Sequence, residues 1–142
     1  MRLLIITQAV DAEDPVLGFF VRWIEEFAKH YEHIEVVCLK EGKYSLPENV
    51  SVHSLGKPAS RFRYIWNFYK YIFSLKYDAV FVHMNQEYVV LGGLFWKILG
   101  KKIYLWRNHA KGSLFTHLAV FLSNKVFYTS PQSFTARFRK AL

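Results

Sequence analysis

The sequence predicts an α/β fold built on a parallel, doubly wound sheet with helices on both faces. Short apolar runs alternate along the chain with segments whose apolar residues recur at helical spacing. Alternating units of this length imply right-handed crossovers between parallel strands. The chain has 142 residues, of which 52% are hydrophobic and 21% are charged, as is typical of a folded globular chain. We therefore expect one domain over residues 1–142.

The first half of the chain predicts three strands and two helices. The opening run at 3–7 has the composition of a strand buried on both faces. Asp14 and Pro15 predict the start of a helix, because Asp caps helices and Pro suits their first turn. Residues 50–55 alternate with period two, which favours an edge-like strand. The strands are thus expected at 3–7, 34–39 and 50–55, and the helices after Asp14 as far as Tyr31 and at 60–75.

The second half predicts three more strands and three helices. The helix at 87–99 is apolar nearly all round, so we expect it to be sandwiched between other elements. Gly100 is typical of a residue that ends a helix. Ser130 and Pro131 predict the start of a last helix. The expected strands are 79–83, 102–106 and 126–129, and the other helix is 113–123.

Charge is distributed unevenly along the chain. Residues 1–56 hold five Lys or Arg and nine Asp or Glu, whereas residues 88–142 hold nine Lys or Arg and no Asp or Glu. Such a segment indicates an anionic partner, which could be nucleic acid, a phosphorylated ligand, lipid headgroups or an acidic domain. The alternative is a solvated basic surface without a specific partner.

Several classes of protein are excluded by the sequence. The single cysteine, Cys38, excludes a disulfide framework and a cysteine-based zinc site. The dinucleotide fingerprint, the P-loop and the G-x-S-x-G nucleophile motif are missing. No spacing of the six histidines is typical of metal ligands, so we expect no metal. No apolar run reaches the length of a membrane span and no signal peptide is recognisable, so we expect a cytoplasmic protein.

Ligands of open parallel sheets bind at the carboxyl ends of the strands, and polar residues follow several predicted strands here. After the first strand, Gly18 lies where a helix is expected to begin. It could let a ligand approach the amides of that helix, or it could let the helix and strand pack closely. The sequence leaves both interpretations of Gly18 open.

The segments after the fourth and fifth strands carry the densest polar groups. His83, Asn85 and Gln86 suit the recognition of hydroxyl groups, although they could equally cap the next helix. The run from Arg107 to Gly112 suits an anionic or polyhydroxylated ligand, and His109 within it can exchange a proton near pH 7. The alternative for this run is a solvated basic turn.

Residues 57–77 hold five Lys or Arg, no Asp or Glu, and seven aromatic residues between 61 and 74. Arg61, Arg63, Trp66 and Lys70 suit the headgroup level of an anionic membrane, which the excess of aromatic residues favours. They would also suit stacked single-stranded bases. The plainer alternative is a crossover helix with solvated cations.

Four segments, at 14–18, 77–83, 103–109 and 126–133, together resemble the N-terminal domain of family-4-type glycosyltransferases of the GT-B fold. The resemblance covers essentially the whole chain through the order and spacing of these segments. It implies a Rossmann-like sheet of six or seven strands that forms one half of the GT-B fold.

The resemblance also implies a function. The chain would be the acceptor-binding half of a retaining enzyme that uses a nucleotide-diphosphate sugar as donor and needs no cofactor. His109 matches the cleft histidine that contacts the transferred sugar, and Arg107 or Lys111 could stabilise charge on the leaving diphosphate. The residues expected to line the cleft are Pro15, Val16, Leu17, Gly18, His83, Asn85, Gln86, Arg107, Asn108, Lys111 and Ser130.

The resemblance further implies partners and a pathway. A C-terminal donor-binding domain, or a separate subunit, would complete the enzyme, and the acceptor would be a sugar or a lipid-linked molecule of cell-surface polysaccharide or glycolipid synthesis. We expect the chain alone to be inactive, and its abrupt end suggests a fragment. Two alternatives stay open: a basic nucleic-acid-binding module, for which no recognition motif is present, and a non-catalytic, membrane-recruiting subunit of a split glycosyltransferase.

Overall fold

A computed structural model describes residues 1–56 and 60–142 of the chain. The chain falls into two compact units, residues 1–78 and residues 79–142. Of the basic, aromatic segment singled out above, Lys57 lies outside the described residues.

The first unit contains three parallel strands, which are β1 (Arg2–Val10), β2 (His33–Glu41) and β3 (Val50–Ser54), in the order β3-β2-β1. Residue Ile5 pairs with Val36, and Val36 in turn pairs with Val52. The third strand is half-buried along its length, as expected of an edge-like strand. The helices of this unit are α1 (Phe20–Ala28), between β1 and β2, and α2 (Arg61–Ser74), after β3.

The core of the first unit comes from the apolar runs that predicted it. The interior of β1 is fully buried from Leu4 to Ile6. Helix α1 contributes Phe20 and Ile24, which lie four residues apart and therefore on one face. Helix α2 contributes Phe68 and Ile72 in the same way.

The start of α1 differs from the sequence prediction. The helix begins at Phe20, and residues 15–19 form successive turns. The Asp14 carboxylate accepts hydrogen bonds from the amides of Val16 and Leu17, at 2.9 and 2.8 Å. Asp14 therefore caps a turn rather than the helix, and these two bonds lower the pKa of its carboxyl group.

The second unit also contains three parallel strands, which are β4 (Ala79–His83), β5 (Lys102–Trp106) and β6 (Lys125–Phe127), in the order β4-β5-β6. All five residues of β4 are buried, and His83 at its end pairs with Trp106 at the end of β5. The helices of this unit are α3 (Gln86–Ile98), between β4 and β5, α4 (Leu114–Leu122), between β5 and β6, and a 3₁₀ helix (Phe134–Arg137).

Helices α3 and α4 pack closely against each other. A Cβ atom at Gly93 would lie 2.9 Å from the side chain of Leu122, so the glycine permits the close approach. Helix α3 is nevertheless not sandwiched as predicted, because Leu94 and Ile98 are exposed. An apolar sequence does not specify which apolar residues a neighbour covers.

The last predicted helix is also corrected. Instead of a helix that begins at Ser130 and Pro131, the chain forms a 3₁₀ helix of four residues after Ser133. Buried Thr135 ties this short helix to the end of β5, because its hydroxyl donates to the carbonyl of Arg107 at 2.8 Å.

The predicted fold class is confirmed: the chain has a Rossmann-like α/β architecture, with six parallel strands in the described residues. Among the helices of residues 1–56 and 60–142, none combines the length and the apolar character needed to cross a bilayer.

Candidate functional site

A small cavity lies in the second unit where β4 and β5 end. Its volume is about 160 Å³. Because the two strands are parallel neighbours, the segments after their carboxyl ends meet at the same edge of the sheet. We call this the polar cavity, and its lining residues are Met84, Asn85, Gln86, Glu87, Arg107, Asn108 and His109.

The backbone at Met84 is strained where it enters the polar cavity. Met84 has a φ of 68°, a left-handed conformation that is rare for a residue with a long side chain. The amide of Asn85 donates to the carbonyl of His83 at 2.8 Å, which closes a γ-turn around Met84. Strain of this kind occurs most often at functional sites, and no sequence signal indicated it.

Two polar side chains in the lining of the cavity have buried atoms without a hydrogen-bond partner among the described residues. These atoms are Oε1 of Gln86, an acceptor, and Nη1 of Arg107, a donor. An unpaired buried polar group costs about 1–3 kcal/mol, so a ligand that paired with both would recover that energy. Arg107 can donate to a hydroxyl group or to an anionic oxygen of a ligand, and the amide oxygen of Gln86 can accept from a hydroxyl group.

Burial lowers the pKa of Arg107, while the nearby Glu87 carboxylate acts in the opposite direction. The guanidinium stays charged because its ordinary pKa is so high. Its Nη2 donates to the carbonyl of Lys111 at 2.8 Å, which fixes one edge of the group and the loop beyond it. Arg107 is therefore a positioned cation at the cavity.

His109 is exposed and turns one ring nitrogen toward its own loop. Its Nδ1 lies 3.1 Å from the amide nitrogen and 3.2 Å from the carbonyl oxygen of Lys111. The other nitrogen, Nε2, is then the one that a ligand can reach. Lys111 supplies a second, exposed cation in the same loop.

Two of the predicted cleft residues, Asn108 and Ser130, form hydrogen bonds within the protein. The side-chain oxygen of Asn108 accepts from the amides of Thr129 and Ser130, at 3.3 and 2.9 Å. The hydroxyl of Ser130 donates to the side chain of Gln132. Asn108 therefore joins the loop after β5 to the turn after β6, and Ser130 is outside the lining of the polar cavity.

His83 does not lie where the sequence prediction placed it. Its ring is fully buried and stacks on Trp106, with ring centres 5.1 Å apart. Burial lowers the pKa of His83 to about 4, so the ring is neutral at physiological pH. A buried ring cannot contact an acceptor directly. His83 instead packs against Trp106 inside the protein, where β4 and β5 end.

The loop around Gly18 belongs to the first unit, and its geometry favours the packing interpretation of this glycine. A Cβ atom at Gly18 would lie 2.6 Å from the carbonyl oxygen of Asp14 and 2.9 Å from that of Ala12. The amide of Gly18 donates to Asp14, and Val16 and Leu17 donate to the same residue. These amides are satisfied within the turn and are not presented to a ligand. Pro15 and Val16 are exposed, whereas Leu17 is buried.

The predicted membrane residues of α2 all lie on its exposed side. Arg61, Arg63, Trp66 and Lys70 are exposed, while Phe68 faces the core. The helix begins after Ser60, whose hydroxyl accepts from the amide of Arg63. Trp66 in particular has 74% of its surface exposed, although it is a large apolar side chain.

No three His, Cys, Asp or Glu residues converge as a possible metal site within the part of the chain that the structure describes.

The sequence predicted five of the polar residues that line the polar cavity, namely Asn85, Gln86, Arg107, Asn108 and His109. It missed the strained Met84 and the buried hydroxyls of Ser133 and Thr135 that hold the carbonyl of Arg107.

Three solved structures illustrate what this fold is similar to. MurG of Acinetobacter baumannii superimposes with a TM-score of 0.63 at 13% identity, over 99% of this chain and 44% of that protein. UDP-GlcNAc 2-epimerase of Neisseria meningitidis, bound to UDP-GlcNAc, gives 0.62 at 13% identity, over 100% and 45%. The lipopolysaccharide outer core galactosyltransferase WaaB in its apo form gives 0.59 at 11% identity, over 89% and 39%.

This chain therefore spans less than half the length of each of these proteins. At such identities the likeness concerns the fold, which is the fold of part of a GT-B protein. No protein with a curated description matches the sequence.

A family model described as "Glycosyl transferase 4-like" matches residues 12–132, which include the polar cavity and both strands that lead to it. The chain belongs to the Glycosyl transferase 4-like family.

Proposed function

We propose that this chain is the acceptor-binding, N-terminal part of a retaining glycosyltransferase that uses a nucleotide-diphosphate sugar as donor. Family membership and the partial GT-B fold support glycosyl transfer in general. The finer assignments, which are the retaining mechanism, the donor class and the acceptor-binding role, extend the resemblance noted in the sequence. The pathway we propose is cell-surface polysaccharide or glycolipid synthesis.

The observation that carries the proposal is the pair of unpartnered buried atoms, Oε1 of Gln86 and Nη1 of Arg107. Both residues line the polar cavity, together with the amide of Asn85 and the imidazole of His109. A sugar offers adjacent hydroxyl groups that donate and accept at once, which is the complement of an unpaired acceptor and an unpaired donor in the lining of one cavity. The cavity of about 160 Å³ has room for part of a sugar rather than for a whole nucleotide.

Charge stabilisation is the chemical contribution that this set of residues can make. Transfer from a nucleotide-diphosphate sugar leaves negative charge on the departing diphosphate, and fixed cations lower the energy of that state. Arg107 is held in place by its bond to the Lys111 carbonyl, and the Lys111 ammonium lies on the same loop. We assign to His109 a hydrogen bond from Nε2 to the transferred sugar, since its Nδ1 is turned to the loop.

A second domain is part of the proposal. The chain spans 39–45% of the length of the three structures named above. We propose that a donor-binding domain, on the same polypeptide or on a separate subunit, supplies the other wall of the site. No cofactor is needed in this scheme, and the chain alone should not catalyse transfer.

The test is a nuclear magnetic resonance titration of the chain with nucleotide-diphosphate sugars and with oligosaccharide acceptors. We expect shifts of the amides of residues 85–87 and 107–109, and loss of these shifts in Gln86→Ala and His109→Ala. His117→Ala is the matched control, because His117 is also exposed but packs on Phe134 outside the polar cavity. Shifts that map elsewhere in the chain would contradict the site.

A transfer assay on the chain alone tests the other half of the proposal. Incubation with labelled nucleotide sugar and acceptor should give no product above the background of a protein-free control. Robust turnover by the chain alone would refute the idea that it supplies only one part of the enzyme.

We further propose that the protein is cytoplasmic and binds peripherally to the inner face of the membrane through α2. Arg61, Arg63 and Lys70 supply positive charge, and Trp66 beside them has an exposed indole ring. Replacement of the three cations by Gln should weaken flotation of the chain with anionic vesicles. Unchanged flotation would exclude this helix as the contact.

A further inference from the structure

Two buried hydroxyl groups on the segment after β6 are bonded to the backbone of a residue that lines the polar cavity. They belong to Ser133 and Thr135, which are 6% and 0% exposed. The Thr135 hydroxyl donates to the carbonyl of Arg107 at 2.8 Å, and the Ser133 hydroxyl lies 2.8 Å from that of Thr135. Each hydroxyl has a single proton. Since the proton of Thr135 goes to Arg107, the proton of Ser133 is free to join the two hydroxyls and to fix the orientation of Thr135.

The same segment also holds the two residues that follow Arg107. The side-chain oxygen of Asn108 accepts from two amides of the segment, as described above. The carbonyl of His109 accepts from the amide of Phe134 at 2.8 Å. Three consecutive residues of the cavity lining are therefore bonded to one short stretch of chain that lies more than twenty residues further on. We call this stretch, residues 129–135, the clamp segment.

We propose that Thr135 and Ser133 are positioning residues for glycosyl transfer, whose hydroxyls hold the backbone of Arg107 in place before a ligand binds. With its backbone held and its Nη2 bonded to the carbonyl of Lys111, the guanidinium presents its unpaired Nη1 in one place. A cation that is fixed in advance loses little conformational freedom on binding, so more of the interaction energy appears as affinity. The inference rests on the proposed function, which gives Arg107 its ligand.

The pairing of these hydroxyls distinguishes positioning from simple packing. Valine has nearly the shape of threonine and no polar group to desolvate, so it suits a buried position that only needs to be filled. Buried hydroxyls on helices often bond within their own helix, as Ser123 does when it donates to the carbonyl of Ala119 at 2.7 Å. The Thr135 hydroxyl instead donates to Arg107, 28 residues away, at the end of β5.

The test compares Thr135→Val, which removes the hydroxyl and keeps the shape, with Thr135→Ser, which keeps a hydroxyl. Nuclear magnetic resonance relaxation gives the order parameters of the amides of residues 107–111 in the free chain, and a titration with UDP-glucose gives the affinity. We expect order parameters of about 0.85 in the wild type and below about 0.6 in Thr135→Val, with an affinity roughly tenfold weaker. Thr135→Ser should recover most of both.

The matched control is Thr116→Val, the same substitution at another fully buried threonine of the second unit. The Thr116 hydroxyl accepts from the amide of Ser113 at 2.9 Å, at the start of α4. Both valine variants should lower the melting temperature by similar amounts, whereas only Thr135→Val should change the loop and the affinity. Ser133→Ala, which removes the other hydroxyl, should act in the same direction as Thr135→Val and takes its place if that variant does not fold.

Three results would overturn the inference. They are a folded Thr135→Val chain with an ordered loop and unchanged affinity, a wild-type loop that is already mobile in the free chain, and equal effects of Thr116→Val and Thr135→Val. Absence of UDP-glucose binding by the wild type counts against the proposed function instead. The order parameters need no ligand, so in that case they still decide whether the clamp segment holds the loop.

Discussion

Acidification should destabilise the protein through one buried residue, His83. Its ring is fully buried and its pKa is lowered to about 4, whereas an unfolded histidine titrates near 6.5. Between these two values the unfolded chain binds a proton that the folded chain does not. The free energy of unfolding therefore rises with pH through this window, and the stability is fully present above the unfolded pKa.

The magnitude follows from the two pKa values. At about pH 5 the unfolded histidine is almost fully protonated, while the folded one is still almost entirely neutral. The linkage relation then gives a loss of about 2 kcal/mol relative to about pH 7.5, and a limit of about 3.4 kcal/mol well below pH 4. This is a large share of the stability of a typical domain.

The assay is equilibrium unfolding in urea at the two pH values, on the wild type and on His83→Phe. Phenylalanine keeps an aromatic ring against Trp106 but cannot be protonated. All other titrating groups are shared, so the difference between the two pH dependences isolates His83. We expect the wild type to lose about 2 kcal/mol more than the variant on going to pH 5. Equal losses in the two proteins would refute the reasoning, because His83 would then titrate alike in the folded and unfolded states.

Two further predictions concern stability. Gly18→Ala should cost about 1–3 kcal/mol, or roughly 5 °C of melting temperature, because the new Cβ atom meets two backbone carbonyls that cannot move as a flexible side chain would. Val16→Ala, two residues away and 73% exposed, should change the stability by less than about 0.5 kcal/mol, and equal effects of the two substitutions would contradict the packing role of Gly18. Lys140→Gln should cost about 1–2 kcal/mol in urea unfolding, because its ammonium donates to three carbonyls at the end of α4. Lys125→Gln serves as the control for loss of charge alone, and it should be nearly neutral since Lys125 is exposed.

The agreement between sequence and structure is best at β4 and β5, the first two strands of the second unit. The bounds of β4 and β5, Ala79–His83 and Lys102–Trp106, are those that the sequence predicts. A short apolar run between polar residues is typical of a buried strand in a parallel sheet, so local composition is sufficient to predict these two strands. The polar residues that follow these strands come together because parallel neighbours end at the same edge.

The sequence was less informative where one local signal serves two structures. Asp14 followed by Pro15 can cap a helix or a turn. In either case the carboxylate of Asp14 can accept hydrogen bonds from the amides of Val16 and Leu17, as it does here. Gly18 likewise could have served a ligand or a backbone contact. Only the position of the carbonyls of Ala12 and Asp14 distinguishes the two.

By itself, the sequence determined the alternation of strands and helices, the parallel sheet and the polar segments at the strand ends, since these depend on local spacing and composition. Tertiary structure alone decided which of those groups are exposed. It buried His83, left Gln86 and Arg107 with unpaired atoms and left the outer sides of α3 and α4 uncovered. Exposure depends on neighbours that are distant in sequence, and no local pattern of residues contains that information.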